Sequence, residues 1–430
     1  MYKTLRILIC VAVLCLAQAV QAQKIGNSPY SRYGLGVLNT NLGSIRTAGM
    51  GGVGVSAGSS FHPNTANPAL LYYNSVTIFD MGVAGQYKNI RNSAESQRDG
   101  TANLANLTLG VPISKRWSSA VGLRPYSSVD YQISSTRSMP GREQALVVNE
   151  YSGEGGLSEL FFGHGFRIAE GLTVGASASY LFGTIIQESS SIVADTSVSD
   201  MSLQRVVYSE RNRYNDFLFR AGANYRKKIA DKSFISAGAV YTLSTDLNGK
   251  QNASYERRSL DNVVMGPPML PDSVEGSVNV PSSLRAGLSY DNGSNLTVGA
   301  EFFTQDWSDF RTLEGKSELG NSYTVAVGAE YTPNANAIDS YFKRITYRGG
   351  LNYGQTPVVV NGEQIKDMAV TGGMTFPVGR GSFSELYQLN TAFGYGRRGT
   401  TDKGLIAEDY FQFSFGVTIN SRWFVKRRIE

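Results

Sequence analysis

Chemistry at a side chain needs a nucleophile, a base or a metal ligand at a usable spacing, and this sequence offers few. His62, in Phe61-His62-Pro63-Asn64, and His164, between Gly163 and Gly165, are the only histidines. Neither stands in a His-Glu-x-x-His spacing, and no segment reads as the strand-turn-helix elbow of a serine hydrolase. His164 lies on a predicted strand, where a Ser–His–Asp or Ser–His–Asn set would need partners distant in sequence. Both cysteines, Cys10 and Cys15, fall within the first 22 residues. A processed chain therefore has no thiol for a disulfide or a zinc site. The glycine cluster at 49–54 follows no strand, which argues against a dinucleotide loop. The expectation is a non-enzymatic protein with no catalytic site, metal or cofactor.

The elements that could position a binding site are strands. Met1 to Ala22 carries Lys3 and Arg6, an apolar stretch from Ile7 to Leu16 and a Val20-Gln21-Ala22 end. That pattern predicts a cleaved secretory signal over 1–22. Loss of Lys3 and Arg6 takes the formal charge from +5 to +3, with both signs scattered, which argues against a nucleic-acid partner. Forty-seven Gly, 24 Tyr and 20 Phe beside 13 Pro point to an aromatic, glycine-rich β-protein. A mean hydropathy of −0.19 is compatible with a membrane barrel, because outward apolar and inward polar residues cancel.

Period-two alternation recurs along the chain. Phe217, Phe219, Ala221, Ala223 and Tyr225 share one face, with Arg220, Gly222, Asn224 and Arg226 opposite. Leu172 to Phe182, Leu296 to Phe302 and Phe411 to Ile419 alternate in the same way. Arginines on an inward face suit a wide polar lumen better than a sandwich core. About fourteen such stretches are found between residues 76 and 420. An even number suits a single-chain outer-membrane barrel. Short connections (Ser114-Lys115, Ala169-Glu170, Ala230-Asp231, Asn292-Gly293) alternate with long ones at 131–154, 188–212 and 247–281. The pattern predicts periplasmic turns and external loops. Aromatics near strand ends, among them Tyr87, Tyr131, Trp307, Phe310 and Trp423, are expected to form interfacial girdles. The fold class is thus all-β: a transmembrane antiparallel barrel over 75–420, with a basic periplasmic tail at 421–430.

Residues 23–74 show no alternation, and a segment of that length before a barrel suits a plug, or hatch, in the lumen. Ala48-Gly49-Met50-Gly51-Gly52, then Asn67-Pro68-Ala69, then a strand, resemble the long-chain fatty-acid transporter (FadL-type) family of outer-membrane proteins. The resemblance is strongest in the first 130 residues and implies a fourteen-stranded barrel plugged by an N-terminal hatch. It also implies passage of hydrophobic molecules with sideways release into lipid, and carries a hatch and ligand-path role to Gly49, Gly51, Gly52, Asn67, Pro68 and Ala69. Ser28-Pro29-Tyr30-Ser31-Arg32-Tyr33-Gly34 and the aromatic-basic end from Ser421 to Glu430 resemble relatives from the Bacteroidetes lineage. Some of those relatives are non-channel subunits of secretion or outer-membrane assembly complexes.

Two further segments invite a role. Gly122-Leu123-Arg124-Pro125-Tyr126 puts a proline inside the third strand, where it removes a ladder donor. Gly122 and Pro125 are expected to mark a lateral opening, unless Pro125 lies beyond the rim. Val263, Val264, Met265, Met269 and Leu270 form an apolar run around Gly266-Pro267-Pro268 in an external loop, which reads as a partner surface, an entry groove or a lid. The leading expectation is an outer-membrane channel for hydrophobic small molecules. The alternative is a non-enzymatic barrel subunit of an assembly or secretion complex. Outer-membrane lipid is a partner in both, with a hydrophobic small molecule in the first and other outer-membrane proteins or lipoproteins in the second.

Overall fold

The computed structural model describes residues 27–139, 141–195, 204–315, 319–378 and 385–421. The expected signal and the tail beyond Ser421 lie outside them. Among the described residues no helix is long and apolar enough to cross a membrane.

A two-residue strand β1 (Val37–Leu38) precedes the wall. The wall comprises β2 (Thr77–Arg91), β3 (Ser96–Ser114), β4 (Trp117–Met139), β5 (Arg142–Ala169), β6 (Leu172–Asp195), β7 (Gln204–Lys228), β8 (Phe234–Thr242) and β9 (Thr245–Ser259). It continues through β10 (Met269–Val280), β11 (Ser283–Asp291), β12 (Leu296–Gln305), β13 (Ser322–Tyr331), β14 (Thr346–Val360), β15 (Glu363–Val378), β16 (Glu385–Gly399) and β17 (Ala407–Ser421). β8 and β9 are two stretches of one wall strand, since both pair with β7. β10 and β11 form another, facing β9 and β8 across a break that holds Pro281. The wall therefore has fourteen positions, all antiparallel, and closes where β17 pairs with β2 from Ala407–Arg91 to Ser421–Thr77.

The alternation has a plain physical reading. Phe217 and Phe219 are each 52% exposed, whereas Leu218 between them and Arg220 after them are 1% and 5% exposed. Apolar rings face outward toward lipid, and polar side chains pack inward against one another, as lipid requires.

Two expectations need correction. The long connections at 131–154, 188–212 and 247–281 are mostly strand: β4 runs to Met139, β5 starts at Arg142, and β6, β7, β9 and β10 extend similarly. β5 is 28 residues long and β12 only 10. A lipid-spanning strand takes about 9–11 residues, so one side of the wall stands far beyond the bilayer. There both faces meet water and the apolar-polar period disappears, leaving Ser, Asn and Gly-rich strands that read as loop. Trp307 and Phe310 do not join a girdle. They are 1% and 2% exposed and pack, with Tyr131, in an interior cluster of Leu35, Leu157, Leu181, Leu218 and Leu247.

Candidate functional site

Residues 27–76 lie inside the wall and touch it on many sides. Ile45–Ala48 is one helical turn and Pro68–Tyr73 a 3₁₀ turn. Asn67 caps the latter: its Oδ1 accepts from Ala69 N at 3.0 Å, and its Nδ2 donates to Val55 O at 2.8 Å and to Ala223 O of β7 at 3.1 Å. The wall is glycine where this turn presses on it. A methyl group at Gly175 of β6 would overlap Pro68 and Ala69, and one at Gly222 of β7 would overlap Asn67 and Pro68. Gly49 lies against Gly373 of β15. Gly51 and Gly52 take φ of +71° and +98°, a region that favours glycine.

Gly49, Gly51 and Gly54 do in fact fall at Gly-x-Gly-x-x-Gly spacing, but their amides are taken. Gly51 N donates to Thr371 Oγ1 at 2.9 Å, and Gly54 N and Val55 N donate to Glu301 Oε2 at 2.8 and 2.9 Å. A carboxylate occupies the place a phosphate would need. Gly54 to Gly58 has Gly-x-Ser-x-Gly spacing, yet Ser56 Oγ is buried with no hydrogen-bond partner and no strand precedes it. His164 accepts from Trp117 Nε1 at 3.2 Å and lies 2.7 Å from Ser119 Oγ, among Phe162 and Phe166. No carboxylate completes a triad there among the described residues. His62 is buried, and burial together with Arg348 and Arg46 pushes its imidazole well below the usual range. No group of His, Cys, Asp and Glu suited to a metal occurs among the described residues.

Buried ions tie the segment to the wall. Glu330 of β13 accepts from Arg46 Nε at 2.9 Å and from Arg348 Nε at 2.6 Å, and Arg46 also donates to Ala57 O at 2.8 Å. Glu301 of β12 receives Arg285 Nη1 at 2.7 Å, while Arg285 Nη2 donates to Thr40 O at 2.7 Å. On β4, Arg124 donates to Leu42 O and to Glu159, which also binds Arg220. From Arg348 the hydrogen bonds continue through Thr375, Asn390, Thr418 and Asp80 to Asn106, one residue from each successive strand from β14 through β17 to β3. Arg220 was expected to face inward, but its pairing and the other ionic ties escaped the sequence reading. The tetrapeptide Val-Gly-Ala-Glu, present at 298–301 and again at 327–330, was the available signal.

The belt breaks between Asn106 and Arg124, and so does the wall. β3 and β4 pair from Ser114–Trp117 to Leu107–Leu123 and then part. Gly122, opposite Thr108, is still in the ladder, and Pro125 is just past its end. Each strand has a bulge beside the break, at Ala105 in β3 and at Tyr126 in β4. Gly155 and Gly156 of β5, opposite β4 just beyond its bulge, have φ of +108° and +141°. Bulges and such glycines bend strands, which carries β4 and β5 away from β3.

The freed edge of β4 is covered from inside. Val37 and Leu38 pair with Ser128 and Ser127, Asn39 N donates to Tyr126 O at 2.9 Å and Ser28 N to Asp130 O at 2.7 Å. Asn27 exchanges two bonds with the backbone of Gln132. A cavity of about 1410 Å³ borders this seam, touching Thr101 and Asn103 on β3 and Ser127 to Tyr131 on β4. Polar side chains, including Lys88, Asp99, Asp367 and Arg398, outnumber apolar ones in its lining. Val263, Val264, Met265, Met269 and Leu270 are far from the seam in sequence, in and beside the β9–β10 connection, and range from 39% to 78% exposed.

The closed wall, the lipid-suited outer face and the internal segment define an outer-membrane type β-barrel. Within that class the chain belongs to the BamG family, whose model matches residues 1–430. A Pseudomonas aeruginosa FadL homologue is similar at 14% identity, covering 88% of this chain and 98% of that one, with a TM-score of 0.59. The Ralstonia pickettii toluene transporter TbuX is similar at 15% identity, covering 89% and 100%, with a TM-score of 0.57. CymD, a monoaromatic hydrocarbon channel, is similar at 16% identity, covering 91% and 99%, with a TM-score of 0.54. These likenesses are of fold, and the neighbours are channels, not enzymes. No curated protein matches the chain.

Proposed function

We propose that this barrel is a non-enzymatic subunit of an outer-membrane assembly or secretion complex, holding protein partners through its outward-projecting strands and the 263–271 segment. The observation that carries the reading is the pairing of a closed, ion-bonded interior with an exposed apolar run. Of the expected hatch, residues 27–74 are gripped by Glu330, Glu301 and Arg124. The bordering cavity mixes polar and apolar surface, with Lys88, Asp99, Asp367 and Arg398 in its lining, whereas sites for hydrophobic molecules are lined mainly by apolar groups. Exposed apolar runs on soluble extensions favour protein contact. The BamG family model covers the full chain, whereas the aromatic-hydrocarbon channels share its fold at 15–17% identity.

A second reading, passage of a hydrophobic small molecule with lateral release at Gly122–Pro125, is favoured by the seam and the cavity that meets it. Asn67, Pro68 and Ala69, with Gly49, Gly51 and Gly52, would set the hatch position on that route. Deletion of 263–271 tests between the two. The subunit reading predicts loss of a copurifying protein with normal barrel assembly. Loss of hydrophobic-probe uptake with an unchanged set of copurifying proteins would favour transport.

A further inference from the structure

In a closed barrel every strand edge is paired, and an unpaired edge is a template for another strand. Past Leu107 and Leu123 this wall has two freed edges, and they are treated differently. The β4 edge is satisfied by the chain's own N-terminal segment as far as Gln132. The β3 edge over residues 96–106 has no ladder partner on its seam side among the described residues, being paired only with β2. Ser96, Gln97, Arg98, Ala102 and Asn103 are exposed along it.

We propose that the free edge of β3, residues 96–106, pairs with an extended segment of a partner polypeptide, which adds as a strand within the seam. The proposal deepens the subunit reading and rests on it. Backbone donors and acceptors on an edge repeat every second residue, and only another extended backbone repeats at that spacing. The opposite edge of the same seam is covered by such an element, β1 with its flanking residues. An acyl chain has no hydrogen bonds to give and would leave the edge unsatisfied. The side chains agree with a peptide as well. Gln97, Asp99, Thr101 and Asn103 face the cavity, joined by Leu104 beside the bulge, while Arg98, Gly100 and Ala102 alternate with them. The bulges at Ala105 and Tyr126 hold the edge open and keep β4 from closing onto it.

The test uses the full-length protein in cells. A photo-crosslinking residue at Gln97, Thr101 or Asn103 should join it to one polypeptide of constant mass, and the same residue at Phe302 on the outer face of β12, across the barrel, should not. Because the processed chain has no cysteine, single cysteines at 98, 100 and 102 can then be paired with cysteines along the partner's captured segment. Strand pairing predicts that the preferred partner position steps in register with the β3 position. Adducts of twice the chain's own mass, adducts to lipid alone, no adduct, or partner positions that fail to step would each overturn the proposal. A partner that copurifies yet never crosslinks at β3 removes this inference and leaves the subunit reading standing. Absence of any copurifying partner removes that reading itself.

Discussion

Replacing Glu330 by Gln should loosen the N-terminal segment without unfolding the barrel. Glu330 neutralises two guanidiniums, Arg46 from the segment and Arg348 from the wall, whose side chains are 4% and 2% exposed. A neutral amide leaves two buried cations facing each other beside a side chain that is itself 18% exposed. Breaking a buried ion pair by removing one partner costs about 3–5 kcal/mol. At about 1.4 kcal/mol per factor of ten, the released state becomes from roughly a hundred-fold to roughly four-thousand-fold more populated. The segment keeps its other ties at Glu301, Asn67 and Arg124, so release stays local. Ala66 is 5% exposed inside the segment, and a cysteine there is the only thiol of the processed chain. Its maleimide labelling rate reports the open fraction when reclosing is fast. Ala66→Cys with Glu330→Gln should label about 10²-fold faster or more than Ala66→Cys alone, with heat-modifiable gel mobility unchanged. Arg46→Met should have a smaller effect, because Glu330 then keeps Arg348. Labelling within threefold of the parent would refute the claim that this triad holds the segment.

Other outcomes follow from the same geometry. Phe413→Arg, mid-strand on the outer face of β17, should cost about 2–4 kcal/mol and lower assembled barrel sharply, whereas Gln412→Arg, which lines the cavity, should not. Equal effects on heat-modifiable mobility would show the faces misassigned. His62, facing Arg348, Arg46 and Glu330, has a folded pKa held below its unfolded value near 6.5. Its contribution is full above that value and declines as pH falls below it, so labelling at Ala66→Cys should accelerate from pH 7 toward pH 5. His62→Gln should flatten that acceleration, and an unchanged profile would remove His62 as its source. An epitope at 263–271 should be reachable on intact cells and one at Ala230-Asp231 should not; equal access would reverse the orientation.

Much of the wall was legible because lipid enforces it. Wherever one face meets acyl chains and the other a polar lumen, as at Phe217 to Arg220, alternation survives in the residues themselves. It fails above the bilayer, where β5 and β6 meet water on both sides and read as loop. Strand-end aromatics are ambiguous for a related reason: a tryptophan such as Trp307 can anchor in an interface or fold inward, and only tertiary contacts decide. β1 is two residues long and leaves no period to detect. Pro125 pointed to an irregularity in its strand, but the separation of β3 from β4 depends equally on bulges at Ala105 and Tyr126, which no residue type announces. The ionic ties joined residues up to 284 positions apart, as with Arg46 and Glu330, and sequence spacing carries no trace of such a pair.

The central claim is that this barrel works by holding other proteins and not by passing molecules. Purification from native membranes in mild detergent, followed by native mass spectrometry, tests it most directly. The account predicts a complex of fixed stoichiometry with at least one other polypeptide, and no hydrophobic small molecule retained in the lumen. A monomer carrying a bound acyl or aromatic compound would contradict it.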